Sequence, residues 1–315
     1  MTEKVIIIGS GPAGLTAALY TARAQLEPLV FVGDTLGGQV AISSEIENYP
    51  GFPDGLTGPE LGELFQKQAE RFGARLEYDT VTSLDLSVRP FKLTTYSGEY
   101  ETHGLIIATG SSPRKLGIPG EEEFAGRGVS YCATCDGFFY RDKEIVMVGG
   151  GDAAVEEAMF LTKFAAKVYQ VHRRDQLRAE RYLQERAFRN EKIEFIWDTV
   201  MEEIVGDGTV TSVRLRNVKT DKEQQHPTQG VFVAIGHTPN TEFLGGQITL
   251  DEKGYIITDE RGRTNVPGVY AAGDVQDWRY RQIATSVGDG CRAAMEVEHY
   301  IAELEDRVYP GKSAN

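Results

Sequence analysis

The sequence predicts an α/β chain of two doubly wound units, the second inserted into the first, and three observations carry that expectation. Two Gly-rich turns each follow a short β-branched run, each opens an Ala-rich helical stretch, and a strand-like segment near the C-terminus supplies a piece the first unit lacks. The length agrees, because 315 residues exceed the roughly 100–200 typical of one domain. The 35 glycines also exceed the ~7% of an average chain, as tight turns and close backbone approaches to a ligand require.

The first unit opens with KVIIIG at Lys4 to Gly9, the pattern of a buried parallel strand, followed at once by Gly9-Ser10-Gly11-Pro12-Ala13-Gly14 and a helical stretch over Leu15 to Ala24. Strand, GxGxxG and helix together make a dinucleotide site: the glycines let a pyrophosphate approach the backbone, and the helix N-terminus favours its charge. After Leu29 to Val32 come Gly33 and Asp34, and Asp34 reads either as the ribose carboxylate or as a turn residue.

The second unit begins at Glu144 with Ile145 to Val148, then Gly149-Gly150-Gly151-Asp152-Ala153-Ala154, which fits GxGxxA, and a helical stretch over Val155 to Phe164. Its second strand, Lys167 to Val171, ends in His172-Arg173-Arg174, with Arg178 four residues past Arg174. A carboxylate there would bind the 2′-hydroxyl of NAD, whereas guanidinium forks suit a 2′-phosphate, so the second unit is expected to take NADP. The competing reading is a solvated charged face, since Asp175, Glu180, Arg181 and Glu185 share the stretch.

Leu105 to Gly110 and Val231 to Gly236 are apolar strands that could each close one unit, and TNVPGVYAAGD at Thr264 to Asp274 runs into a carboxylate able to reach a sugar hydroxyl. The order along the chain places the crossings near Pro113 to Gly117 and His237 to Thr241. Residues 1–114 and 241–315 are expected to form one domain and 115–240 the other.

Acidic residues outnumber basic ones by 47 − 33 = 14, which argues against a nucleic-acid partner. No signal peptide is evident and no apolar run nears the ~20 residues of a membrane helix, so the cytoplasm is expected. Three cysteines are too few for a disulfide scaffold.

Ser130 to Gly137 reads SYCATCDG. Cys132 and Cys135 can close a small redox-active ring; the zinc reading needs two more ligands, and neither Cys291 nor the histidines at 103, 172, 226, 237 and 299 are spaced to supply them. Asp136 follows directly and reads as a proton donor to a leaving thiolate or as an exposed turn before Gly137. Cys291, at the start of a C-terminal helix, is expected to be a small buried hydrophobe.

These motifs, in order, resemble low-molecular-weight, bacterial-type thioredoxin reductases over essentially the full length. The resemblance rests on GSGPAGLTAA at Gly9 to Ala18, GGQ at Gly37 to Gln39, ENYPGFP at Glu47 to Pro53, CATCDGFFY at Cys132 to Tyr140, GGGDAAVEEA at Gly149 to Ala158, HRRDQLRA at His172 to Ala179, and GVYAAGDV with YRQIATSVGDG between Gly268 and Gly290. It implies two Rossmann-like domains, a homodimer, and FAD at Gly9, Gly11, Ala13, Gly14, Gly38, Gln39, Asn48, Gly273, Asp274, Arg281, Gln282 and Ile283. NADPH is implied at Gly151, Asp152, Ala153, His172, Arg173, Arg174 and Arg178. It further implies that Cys135 faces the flavin, that Cys132 attacks the disulfide of thioredoxin, and that Asp136 supplies the proton. Many relatives carry a hydroxyl residue where this chain has Ala153. A reductase of another dithiol protein, peroxidase-linked or glutaredoxin-like, and a non-catalytic flavin redox sensor are the competing functions.

Overall fold

A computed structural model describes residues 2–43 and 45–305. Among these lie six α-helices, α1 (Pro12–Arg23), α2 (Gly58–Arg71), α3 (Ala133–Asp136), α4 (Asp152–Leu161), α5 (Arg181–Phe188) and α6 (Ile283–Leu304). The chain divides into two compact units, residues 1–112 with 238–315, and residues 113–237.

In the outer unit the strands run in the order Arg75–Glu77, Leu29–Phe31, Thr2–Ile8, Glu99–Ile107, Phe91–Thr95, Val81–Asp85. The first four are parallel, and the last two form an antiparallel hairpin on the early half of Glu99–Ile107. Val269–Ala271 completes the parallel set by pairing with Leu105 to Ile107, so the C-terminal segment does close the first unit.

Strand alternation divides the core into two faces. Val5 and Ile7 pack with Ala13, Ala17, Val297 and Ile301 on the side of α1 and α6, while Ile6 and Ile8 pack with Phe31, Phe91, Leu105 and Leu244 on the other. A strand buried on both faces must be apolar throughout, which explains the uninterrupted VIII run. Each such side chain contributes roughly 1.5–3 kcal/mol by leaving water.

The inner unit repeats the plan. Its five parallel strands run Ile193–Ile196, Lys167–Val171, Glu144–Val148, Val231–Val233, Val129–Ser130. Ile145 and Met147 face α4 and α5, whereas Val146 and Val148 face a three-stranded antiparallel sheet, Thr199–Asp207, Thr209–Asn217 and Glu223–Pro227. In both units the glycine turn follows the strand at which the order reverses, the place where open α/β sheets bind ligands.

The crossing segments, Ser111–Pro113 and His237–Pro239, pair with each other. The division therefore falls at Ser112/Pro113 and His237/Thr238 rather than after 114 and 240. Hydrogen bonding explains the difference. Asn240 exchanges bonds with Thr109 and takes the Gly110 carbonyl at 3.1 Å, which ties it to the outer unit, whereas the Arg114 N–H donates to the Gly236 carbonyl at 2.9 Å.

Just past the first crossing the chain folds around a buried carboxylate. Glu121, 1% exposed, accepts the backbone N–H groups of Leu116 (2.9 Å) and Gly117 (2.7 Å) and the Tyr131 hydroxyl (3.0 Å). The Tyr131 phenol is held well above its ordinary pKa by burial, and the carboxylate beside it adds to the shift. Glu121→Ala removes the shared acceptor of three hydrogen bonds, two of them from half-buried residues, so it is expected to cost about 3 kcal/mol. Such a loss lowers the thermal midpoint by roughly 6–12 °C; a melt that matches the parent chain would show that the buried carboxylate is not needed.

Candidate functional site

The outer glycine turn is shaped by packing at two of its glycines and left open at the third. Gly9 has φ 110°, and a Cβ there would lie 2.3 Å from the Ala108 carbonyl oxygen. A Cβ on Gly14 would lie 1.9 Å from the Gly9 oxygen. Gly11 meets nothing nearer than 4.0 Å, and as the N-cap of α1 it offers no side chain to the first-turn N–H groups. Close approach to a diphosphate therefore remains possible at Gly11, with unpartnered donors beside it.

Other candidate residues converge on this turn. The buried Ser10 hydroxyl donates to the Val32 carbonyl at 2.9 Å, and the Gly37 N–H bonds the Ser10 carbonyl at 3.1 Å. Gly38 consequently stands over Gly11, where a Cβ on Gly38 would be 3.4 Å from the Gly11 Cα. Gly273 packs against Ala13, so Asp274 arrives at the same place from Val269–Ala271.

Burial pushes the Asp274 carboxyl up to about 6, against the opposing hydrogen bond from Ser286 (3.2 Å) and the nearby Arg281 charge. A desolvated carboxylate gains when a hydroxyl donor arrives, as a flavin ribityl or ribose group would provide. Arg281 sits at φ 48°, in the left-handed region that non-glycine residues rarely adopt, and its side chain bonds the Tyr255 phenol. Gln282 caps α6, whose first residue is Ile283, and accepts from the Asn48 side chain at 3.4 Å. Gln39 and Asn48 are exposed. Asp34 is also exposed and takes the Thr80 hydroxyl at 3.4 Å.

In the inner unit the same division holds. A Cβ on Gly149 would lie 2.4 Å from the Ala234 oxygen and one on Gly150 2.4 Å from the His172 ring, while Gly151, the uncapped N-cap of α4, meets nothing within 4 Å. Arg173, Arg174 and Arg178 are exposed, and among the described residues none of them forms an ion pair. Two of the acidic neighbours are occupied elsewhere: Asp175 with Lys219 at 3.0 Å and Glu185 with Arg181 at 3.1 Å. Three guanidiniums without a carboxylate partner beside an open helix N-terminus fit a phosphorylated nucleotide.

His172 is buried and its Nε2 lacks a partner among the described residues. Burial lowers its pKa, so the ring stays neutral. Ala153 is exposed. The Asp152 carboxylate is bound to the chain itself, accepting the Glu180 N–H at 2.7 Å.

The dithiol belongs to the inner unit. Cys132 and Cys135 form a disulfide just after the edge strand Val129–Ser130. Cys132 is the half-buried N-cap of α3; its sulfur accepts the Cys135 N–H at 3.2 Å and lies 3.4 Å from the Thr134 hydroxyl. Donors at that sulfur would stabilise a thiolate there. Cys135 is exposed.

Asp136 is half-buried rather than in an open turn, because Gly137 is packed against Leu161 and Tyr140 is buried behind it. Burial raises the Asp136 pKa above the ordinary aspartate value, opposed by a hydrogen bond from Ser130. Burial likewise pushes Tyr140 up to about 12, with the Asp136 charge adding.

Two expectations need correction. α6 begins at Ile283, so Cys291 lies well inside the helix rather than at its start. Cys291 is half-buried, not buried, and shares a hydrogen bond with Tyr20, because Gly290 is the position that presses on α1: a Cβ there would lie 2.1 Å from the Ala13 oxygen.

Among the described residues no group of three or more His, Cys, Asp or Glu side chains could hold a metal ion, and no helix is long and apolar enough to cross a membrane.

Residues 3–290 match the family described as pyridine nucleotide-disulphide oxidoreductase. A thioredoxin reductase of Streptomyces coelicolor is 52% identical, with 99% of this chain and 98% of that protein aligned. One from Rickettsia felis is also 52% identical, over 96% and 99%. The crystal structure of thioredoxin reductase from Streptococcus pyogenes MGAS5005 superposes with a TM-score of 0.91 at 46% identity, covering 96% of this chain and 99% of that one. The chain belongs to the pyridine nucleotide-disulphide oxidoreductases and, within them, to the thioredoxin reductase family.

Proposed function

We propose that the chain is an NADPH-dependent thioredoxin-disulfide reductase, carrying two electrons by way of FAD and the Cys132–Cys135 disulfide to oxidised thioredoxin. The observation that carries this reading is a closed CxxC disulfide on the same unit as three arginines with no carboxylate partner. NADPH and FAD, when bound, supply the hydride equivalent that opens the disulfide. In the outer unit Gly9, Gly11, Ala13, Gly14 and Gly38 would hold the FAD diphosphate region, with Gln39, Asn48, Gly273, Asp274, Arg281, Gln282 and Ile283 around the rest. In the inner unit Gly151 and Ala153 would face the NADPH diphosphate, and Arg173, Arg174 and Arg178 the 2′-phosphate, with His172 beneath them.

The chain's own sulfurs then do the exchange. Opening the disulfide leaves a thiolate at one cysteine and a thiol at the other, and the raised pKa of Asp136 suits it to deliver the proton. The Cys132 thiolate, stabilised by the Cys135 N–H and the Thr134 hydroxyl, attacks one sulfur of the partner disulfide. A mixed disulfide forms and the partner's other sulfur leaves as a thiolate. Cys135 next attacks Cys132, releasing the reduced partner and restoring the Cys132–Cys135 bond. A homodimer in the cytoplasm is proposed with it, since a pair re-reduced by NADPH belongs in a reducing compartment.

Steady NADPH oxidation that requires added oxidised thioredoxin is the expected result. A holoenzyme whose flavin is reduced by NADPH but which never turns over, whichever thioredoxin is added, would overturn the reading in favour of a sensor. Turnover only with a peroxidase-linked or glutaredoxin-like dithiol protein would reassign the partner.

A further inference from the structure

Asp152 is the residue at which the nucleotide-site reading and the geometry part. A carboxylate at the first position of α4, beside an open diphosphate cradle, repels the ligand it would have to bind. Its Oδ1 instead accepts the Glu180 N–H at 2.7 Å, 28 residues along the chain.

That bond is one of two stitches between the glycine turn and the loop bearing the arginines. The Arg178 N–H donates to the Gly150 carbonyl, also at 2.7 Å. Between the stitches Ala179 is buried, and so is Leu177 on the other side of Arg178. The backbone of Arg178 is thus fixed before, at and after the residue, while its side chain remains exposed. Of these restraints, only the Asp152 bond depends on a polar side chain that substitution can remove.

We propose that Asp152 is a positioning residue for 2′-phosphate selectivity: its carboxylate clasps the arginine loop to the glycine turn and so holds Arg178 where a 2′-phosphate is bound. The inference rests on the NADPH reading of the inner unit. It separates cleanly from a direct role. A residue touching the diphosphate affects phosphorylated and unphosphorylated nucleotides alike, whereas a clasp on the arginine loop affects only those carrying the 2′-phosphate.

The test is calorimetric binding of NADP⁺ and of NAD⁺, which share the diphosphate and differ only at the 2′-phosphate, to the FAD-loaded full chain; it requires no turnover. Asp152→Ala is expected to weaken NADP⁺ about tenfold, the size of one lost hydrogen bond to a charged acceptor, and to leave NAD⁺ within about twofold. Asp152→Asn keeps the acceptor oxygen and is expected to restore the preference. Asp152→Glu keeps the charge but moves the oxygen, and is expected to lose it; a preference retained in this variant would assign the effect to charge and overturn the clasp, even if the alanine variant failed to fold. The Arg173/Arg174 double neutral variant is the control. A control that keeps the preference overturns the NADPH reading itself. A control that loses it, together with an alanine variant that weakens both probes equally or neither, overturns the clasp alone.

Discussion

Cys132→Ser and Cys135→Ser are each expected to lower thioredoxin-dependent NADPH oxidation by at least about a thousandfold. A proton-transfer group contributes ~10²–10⁴, and loss of the atom that forms the covalent bond is no less severe. Stability should fall by only about 2 kcal/mol, the chain-entropy contribution of a disulfide whose cysteines are three residues apart, which is too little to unfold the chain and account for that loss. The two variants differ in what they trap. In Cys135→Ser the remaining Cys132 sulfur can attack a partner disulfide but cannot be displaced from it, so a stable mixed disulfide with thioredoxin should accumulate. Cys132→Ser leaves only Cys135, without the N–H and hydroxyl donors seen at Cys132, and should trap little. Non-reducing gels followed by peptide mapping read the outcome directly. Trapping through Cys135 rather than Cys132 would reverse the assignment of roles, and equal trapping by both would remove it.

How much of this was legible in the sequence follows from where the determining contacts lie. The glycine turns were readable because their constraint is local: a Cβ at Gly9 or Gly14 collides with backbone only a few residues away or on the closing strand. The arginines were readable by position, although only the structure shows that Asp175 and Glu185 are paired with other cations. A carboxylate at the end of the C-terminal strand, Asp274, can be read from the sequence, but its setting cannot, because Tyr255, Arg281 and Ser286 reach it from separate segments. Glu121 was invisible for a related reason. Within GEEEF it looks like part of a solvated acidic run, and its burial depends on a turn five residues upstream and on Tyr131. The positive φ of Arg281 leaves no mark in the sequence, since nothing in the residue type announces it. The antiparallel sheet over residues 199–227 carries its charges as cross-strand pairs, Arg214 with Glu203 and Arg216 with Glu202, which mask its strand pattern.

Asp136→Asn is expected to slow reduction of the Cys132–Cys135 disulfide about a hundredfold, the lower range for a general acid. The geometry supports an acid rather than an exposed turn: burial raises the Asp136 pKa, and the hydrogen bond from Ser130 only partly offsets it. The neutral acid therefore persists to higher pH than an ordinary aspartic acid, and the proton is lost as pH rises through the raised value. The rate of the step should fall over that interval in the parent chain, and the fall should be absent in Asp136→Asn. Stability carries the opposite sign for the variant. A folded pKa above the unfolded one gives stability that is complete below the unfolded value and is lost as pH rises through the folded value. Above that interval the ionised carboxylate sits desolvated, so the amide should make the protein equally or more stable while it is slower. Single-turnover disulfide reduction and thermal melts, both followed upward from the ordinary aspartate range, separate the two effects. A variant that is slow because it is unstable would show both losses together and would reduce Asp136 to a structural residue. A variant slow and stable places the cost of burying this carboxylate in the chemistry, because the same desolvation that weakens the fold keeps the proton available beside the sulfurs.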